Sequence, residues 1–366
     1  MSDAGVTYFL SDDGLARLVD ELAAAGTPAI GPARDGAAGK PEYREVRTAA
    51  ELAFNEGLPA LSLKGFFLPM TETLLTWQQK GGDVRIAPAP TTFAPRVVLG
   101  AKPCDVAALA IVDKVMNWDY QDELWNGRRA ATTVFSLACD VEDDYCFCGA
   151  VGVGPDSARG ADGLLTPVGG GYVVRTASEK GEAFVAAHRE LFGDGDAGSR
   201  AVSPEREAQA KAFADTARAR VAANLSIDTN LVKQWIDTHF EDPFWEMLGP
   251  RCNGCGACAA VCPTCHCFDI VDEEEGVGRG ARRRNWDTCQ TCEFTLHASG
   301  HNPRDDQNAR FRQRVNHKFL IYPMKFGDVL CTGCGRCSRA CPAGQDLAEI
   351  LASIDAAAAA ESEGAA

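Results

Sequence analysis

The chain has 366 residues, 46% of them apolar and 24% charged, which is enough to bury two or three cores and excludes a disordered polymer. Its formal charge of -15 repels phosphate backbones and anionic lipid, so neither nucleic acid nor a membrane surface is expected as a partner. Residues 1–13 lack the parts of a secretion signal, and no apolar run approaches a membrane span, so a cytoplasmic protein is expected.

Residues 12–25 (DDGLARLVDELAAA) have helical periodicity, and up to about residue 200 short apolar runs alternate with helical stretches, as in an α/β domain. Arg96 to Gly100 reads as a buried strand, followed by a helix that Asp105 is positioned to N-cap. Thr132 to Ala138 reads as a second buried strand. Cys104 and Cys139 then both follow the carboxyl end of a strand, where functional groups collect in open sheets. Gly169 to Gly171 suits a hairpin turn, amphipathic helices are expected near residues 179–192 and 228–240, and residues 204–223, rich in Ala, Arg and Glu, are expected to be helical. Residues 355–366, alanine and acid, are expected to form a disordered tail.

Sixteen cysteines in tight local groups, without an export signal, point to metal binding rather than disulfides. Cys252, Cys255, Cys258 and Cys262 before Pro263 give C-x2-C-x2-C-x3-C-P, and Cys331, Cys334, Cys337 and Cys341 before Pro342 repeat it. Three thiolates of such a loop bind three irons of one cubane, while the fourth reaches the neighbouring cluster. The expected ligand sets are therefore Cys252, Cys255, Cys258 and Cys341 for one 4Fe-4S cluster, and Cys331, Cys334, Cys337 and Cys262 for the second. Gly254, Gly256, Gly333 and Gly335 supply the backbone freedom that a cluster-wrapping loop needs. The alternative is a pair of zinc sites, but zinc takes its thiolates from two separated C-x2-C pairs. Residues 263–330 lie between the repeats and are expected to form a hairpin followed by basic helical material over the clusters.

At this point the sequence resembles the iron-sulfur beta subunits of cytosolic nickel-iron hydrogenases with sulfur reductase activity, and the related A subunits of anaerobic sulfite reductases. The resemblance is carried by GAKPCDVAAL at 100–109, CFCGAVGVGP at 146–155, FEDPFWEMLGPRCNGCGACAAVCPTCHCFDI at 240–270, WDTCQTCEFTLHASGHNPR at 286–304 and CTGCGRCSRACP at 331–342. It implies a non-catalytic electron-transfer subunit in a hetero-oligomeric redox complex of anaerobic metabolism. Such a subunit relays electrons between a flavin subunit that reacts with NAD(P)H and a catalytic partner, a hydrogenase or a sulfite or sulfur reductase. Cys292 and HASGHNPR are closer to relatives encoded beside heterodisulfide reductase-like proteins.

Cys104, Cys139, Cys146 and Cys148 are read as ligands of a third 4Fe-4S cluster, at positions where the resemblance is dense; buried core cysteines are the alternative. Cys265, Cys267, Cys289 and Cys292, with His266, His297 and His301 nearby, hold enough ligands for a further metal, iron-sulfur or zinc. Thiols that pack beside the clusters and tune them are the other reading of this group. Gly149, Gly152 and Gly154, just after Cys148, do not form G-x-G-x-x-G, so no dinucleotide site is assigned. The basic residues Arg282 to Arg284, Arg310, Arg312, Arg314, His317 and Lys318 either dock an acidic partner, hold the negative clusters or form a solvated face.

The architecture expected is an α/β N-terminal domain over residues 1–225 and an α+β ferredoxin-like dicluster domain over 226–354. Two other functions stand beside electron relay. The chain is itself the catalytic reductase of a small sulfur compound at the N-terminal cluster site, or it is a metal-stabilised scaffold without redox work.

Overall fold

The computed structural model describes residues 6–34, 39–140, 143–193 and 202–364. Its strands in chain order are β1 (Thr7–Ser11), β2 (Ala29–Ala33), β3 (Glu42–Val46), β4 (Thr71–Lys80), β5 (Asp83–Pro88), β6 (Arg96–Ala101), β7 (Thr132–Leu137), β8 (Gly163–Val168), β9 (Gly171–Thr176), β10 (Phe268–Gly276) and β11 (Arg279–Trp286).

Seven strands form one sheet in the order β1-β9-β8-β7-β6-β2-β3. Its centre, β2, β6, β7 and β8, is parallel, and β3, β9 and β1 close the edges antiparallel. The central strands are apolar on both faces, with Val97, Val98, Leu99, Val134, Phe135 and Leu137 all buried, as a parallel sheet covered by helices requires. Helices Pro103–Met116 and Glu123–Ala131 make the crossover from β6 to β7, and the β8–β9 hairpin turns at Gly170, whose φ is +78°.

The second sheet crosses the boundary expected at residue 225. Its order is β10-β11-β4-β5, so two of its strands come from residues 71–88 and two from the insertion between the cysteine repeats. Arg284 on β11 pairs with Glu72 on β4 in the strand register. Its buried guanidinium also holds the Glu72 and Asp122 carboxylates, while Arg128 reaches Glu72 from the crossover helix. An isolated hairpin is marginal in water, so β10–β11 gains its stability by adding to β4. The dicluster segment is thereby sewn into the α/β half, and a single apolar core joins Ala107, Phe147 and Val151 to Val221, Trp235, Trp245, Phe311, Phe319 and Leu351.

The C-terminal segment departs from the disordered tail expected for 355–366. Helix Leu347–Gly364 continues through it, and residues 365–366 lie outside the described residues. Ile354 and Ala358 are buried, and the Glu361 carboxylate accepts from Trp235 Nε1 at 3.2 Å. Alanine's small side chain lets this helix lie close against helix Thr229–Thr238, so packing decides what local composition leaves open. Among the described residues, no helix is long and apolar enough to cross a membrane.

Candidate metal centres

The first cysteine loop, residues 252–258, winds into the short helix Ala257–Ala260 with Gly254 and Gly256 at positive φ. Cys252, Cys255 and Cys258 line one cavity, and Cys341, from the other repeat, completes its wall. Amide groups already face the sulfurs: Gln307 Nε2 donates to Cys252 Sγ at 3.2 Å, and the Gln345 backbone N–H to Cys341 Sγ at 3.3 Å. Arg314 lines the same cavity. It is buried, and its Nε and Nη2 have no hydrogen-bond partner. An uncompensated buried guanidinium costs several kcal/mol, so the cavity is built for a negatively charged occupant, which a thiolate-ligated iron-sulfur cluster is and four neutral thiols are not.

In the second expected ligand set Cys331, Cys334 and Cys262 are buried and Cys337 is half-buried. Burial pushes the Cys331 thiol up to about 12 and Cys334 to about 11, with Cys262 and Cys337 close enough to add to both. Metal binding at these sulfurs must therefore displace protons. Lys318, itself buried, donates to Cys262 Sγ at 3.4 Å, to Thr264 Oγ1 at 3.1 Å and to the Leu330 carbonyl at 2.9 Å. Burial alone would lower its pKa, but the facing sulfurs of Cys262, Cys265 and Cys331 turn the balance and hold it cationic. At Gly333, with φ +63°, a Cβ would stand 2.5 Å from the backbone of Phe147 and Cys148, so only glycine lets this loop lie directly on the Cys146–Cys148 segment. The Phe147 N–H donates to the Gly333 carbonyl at 2.7 Å across that contact.

The four N-terminal cysteines also meet. Cys104 sits at the start of helix Pro103–Met116 beyond β6, Cys139 just beyond the adjacent parallel strand β7, and Cys146 and Cys148 on the loop that leads to β8. Together they line a cavity whose wall includes Gly333 and Cys334. Burial raises Cys104 well above the ordinary thiol range and Cys148 to about 12. Arg339 donates to Cys146 Sγ at 3.2 Å while its fork grips Asp143 at 2.6 and 2.7 Å.

Asp105 does not cap the helix, as its sequence position suggests. Lys102 is the capping residue, and the Asp105 carboxylate is buried instead against Arg336 in a bidentate pair at 2.6 and 2.7 Å, with the Tyr43 hydroxyl donating at 2.7 Å. The pair ties the residue after Cys104 to the residue before Cys337. Lys64, Gln290, Gln307, Arg336 and Arg339 were not singled out from the sequence, because an isolated polar residue carries no local pattern.

The remaining group divides. Cys265 hydrogen-bonds Cys262, Cys267 hydrogen-bonds Cys289, and Cys292 is exposed with its thiol donating to Glu293 Oε1 at 2.9 Å. Among the described residues, no three His, Cys, Asp or Glu side chains converge on a point as the ligands of a single ion do; the thiols line cavity walls instead. His297 and His301 face each other with ring centroids 5.4 Å apart. The basic residues divide too. Arg282 and Arg283 pair with Asp272, Glu273 and Glu275 across the hairpin, and Arg312 with Glu241, whereas Arg314 and Lys318 turn inward to the thiols.

His317 packs edge-on against His266 at 5.6 Å. Burial, helped by the charges of His266, Lys318 and Arg304, pushes His317 down to about 3 and keeps it neutral. The unfolded chain takes up a proton there near pH 6.5, so this contribution is complete above that pH and is lost as the pH falls from about 6.5 toward 3. About 2 kcal/mol should be gone by pH 5. Denaturant unfolding at pH 7 and pH 5 should show His317→Gln losing less over that interval than the parent chain; equal losses would contradict the assignment.

A family model described as a 4Fe-4S dicluster domain matches residues 251–345. The chain is also 30% identical over 311 residues to sulfhydrogenase 2 subunit beta of Pyrococcus furiosus, across 84% of this chain and 87% of that one.

Proposed function

Because the chain belongs to the iron-sulfur beta subunits of hydrogenases and sulfhydrogenases, we propose that it is a three-cluster wire between a flavin subunit and a catalytic redox subunit in the cytoplasm. That it carries 4Fe-4S clusters and serves electron transfer in a hydrogenase-type complex follows from the family itself. The cluster count, the ligand sets and the partners are our reading.

When bound, each 4Fe-4S cluster supplies a one-electron redox centre. Cys104, Cys139, Cys146 and Cys148 would hold the first in the row. Cys262, Cys331, Cys334 and Cys337 would hold the second, and Cys252, Cys255, Cys258 and Cys341 the third. The observation that carries this order is the sharing of walls: Cys334 of the middle set borders the N-terminal cavity, and Cys337 borders the cavity of the last set. The three sets are therefore in contact, with no side chain needed to bridge an apolar gap. Arg314, Lys318 and Arg339 place positive charge beside the sulfurs, which favours the more negative, reduced state and raises the potential of each centre. Cys255 is exposed, so the last set is the one that faces a partner protein.

Anaerobically isolated chain should contain about twelve iron and twelve sulfide, four of each per cubane, and on reduction give low-temperature EPR signals broadened by coupling between neighbours. A count near eight would remove the N-terminal centre from the wire. Turnover of a sulfur compound by the isolated chain with an artificial reductant would make it a reductase instead.

A further inference from the structure

The pair Cys267 and Cys289 is left over from the three ligand sets. Cys267 immediately precedes β10 and Cys289 follows β11, and Phe268 pairs with Trp286 in the register, so the two thiols stand across the base of the hairpin. The Asp287 N–H donates to the Cys267 carbonyl at 3.0 Å and pins that base. Neither thiol is sealed off. Cys267 lines a cleft of about 300 Å³ with Lys64, Cys255, Trp286 and Asp287.

On its other side the pair reaches the last ligand set through one side chain. Gln290 is buried, donates from Nε2 to Cys289 Sγ at 3.5 Å and accepts at Oε1 from Cys252 Sγ at 3.7 Å. Cys289 thus stands one side chain from a sulfur of the exposed cluster site. Cys292, which would be needed as a fourth ligand for a metal here, points to solvent and Glu293, and Cys265 is engaged with Cys262.

We propose that Cys267 and Cys289 are a dithiol–disulfide couple that exchanges two electrons with the cluster held by Cys252, Cys255, Cys258 and Cys341. On oxidation the Cys267 S–H bond breaks and an S–S bond forms to the Cys289 sulfur. The proton leaves to water in the cleft lined by Lys64, and two electrons pass one at a time to oxidised 4Fe-4S centres; reduction is the reverse. The hydrogen bond from Cys267, with Gln290, Arg314 and Lys318, lowers the Cys289 thiol against the opposing effect of burial and favours the thiolate on that sulfur. The couple gives a one-electron wire a site that stores a pair, and it rests on the reading of that cluster site given above.

The test uses the cluster-loaded, full-length chain poised anaerobically over a range of potentials, alkylated with iodoacetamide and mapped by mass spectrometry. A linked Cys267–Cys289 peptide should appear on the oxidised side, its ratio to the dialkylated form changing tenfold per about 30 mV, against about 59 mV for a one-electron centre. Cys267→Ser and Cys289→Ser should each abolish that step and leave iron content and EPR signals as they are, while Cys292→Ser should change nothing. Both thiols remaining alkylatable at every potential would overturn the proposal. So would zinc or additional iron that is lost in Cys289→Ser. Loss of the cluster site itself would register separately, as missing iron in the parent chain.

Discussion

Replacing Arg336 by alanine should destabilise the cluster-loaded chain by about 3–5 kcal/mol, the cost of breaking a buried ion pair from one side. The Asp105 carboxylate is fully buried and the Arg336 side chain 3% exposed, so no water stands ready to replace the guanidinium. After the substitution Asp105 keeps only the Tyr43 hydroxyl, and Pro59 loses the donor that Arg336 Nε supplies to its carbonyl at 2.9 Å. Burial, with Asp105 next, already holds the Tyr43 phenol well above its ordinary pKa, so it cannot relieve the charge by giving up its own proton. Guanidinium unfolding followed by tryptophan fluorescence measures the loss. The double variant Asp105→Leu with Arg336→Met should recover most of it, because apolar groups of similar volume leave no stranded charge. A loss under about 1 kcal/mol for Arg336→Ala would show that the pair is not what clamps the N-terminal thiols to the second repeat.

How much of this was readable beforehand depends on whether the signal was local. Strands 96–101 and 132–137, the Gly169–Gly171 turn, the helices near 12–24, 204–224 and 229–238, and the hairpin after Cys267 all announce themselves through period and turn chemistry within a few residues. The two cysteine loops of the dicluster segment, matched at residues 251–345, were readable for the same reason, since cluster loops are written in short spacings. What the sequence did not reveal is long-range. Strand β4 finds β11 more than 200 residues away, and Asp105 finds Arg336 at a separation of 231. Nothing near Glu72 or Asp105 forecasts those partners, so the sequence did not show that one sheet and one apolar cluster draw residues from both halves of the chain. The tail failed in the opposite way. Its alanines look unpackable alone, yet Ile354 and Ala358, one helical turn apart, meet the face of helix 229–238.

The largest effect on the centres themselves is expected from the fourth cysteine of each repeat. Cys341 follows the second loop in sequence but lines the cavity of the first, and Cys262 follows the first loop but lies buried among Cys331, Cys334 and Lys318. Cys341→Ser should therefore reproduce the defect of Cys255→Ser, with up to about four irons lost and the same EPR component missing. Cys262→Ser should reproduce that of Cys334→Ser. Serine is the informative replacement because it keeps the volume and removes the soft thiolate donor that iron-sulfur clusters select. If Cys341→Ser instead matched Cys334→Ser, each loop would hold its own fourth ligand. The exchange that keeps two centres in contact would be gone, and with it the reason to read the row of cavities as a wire.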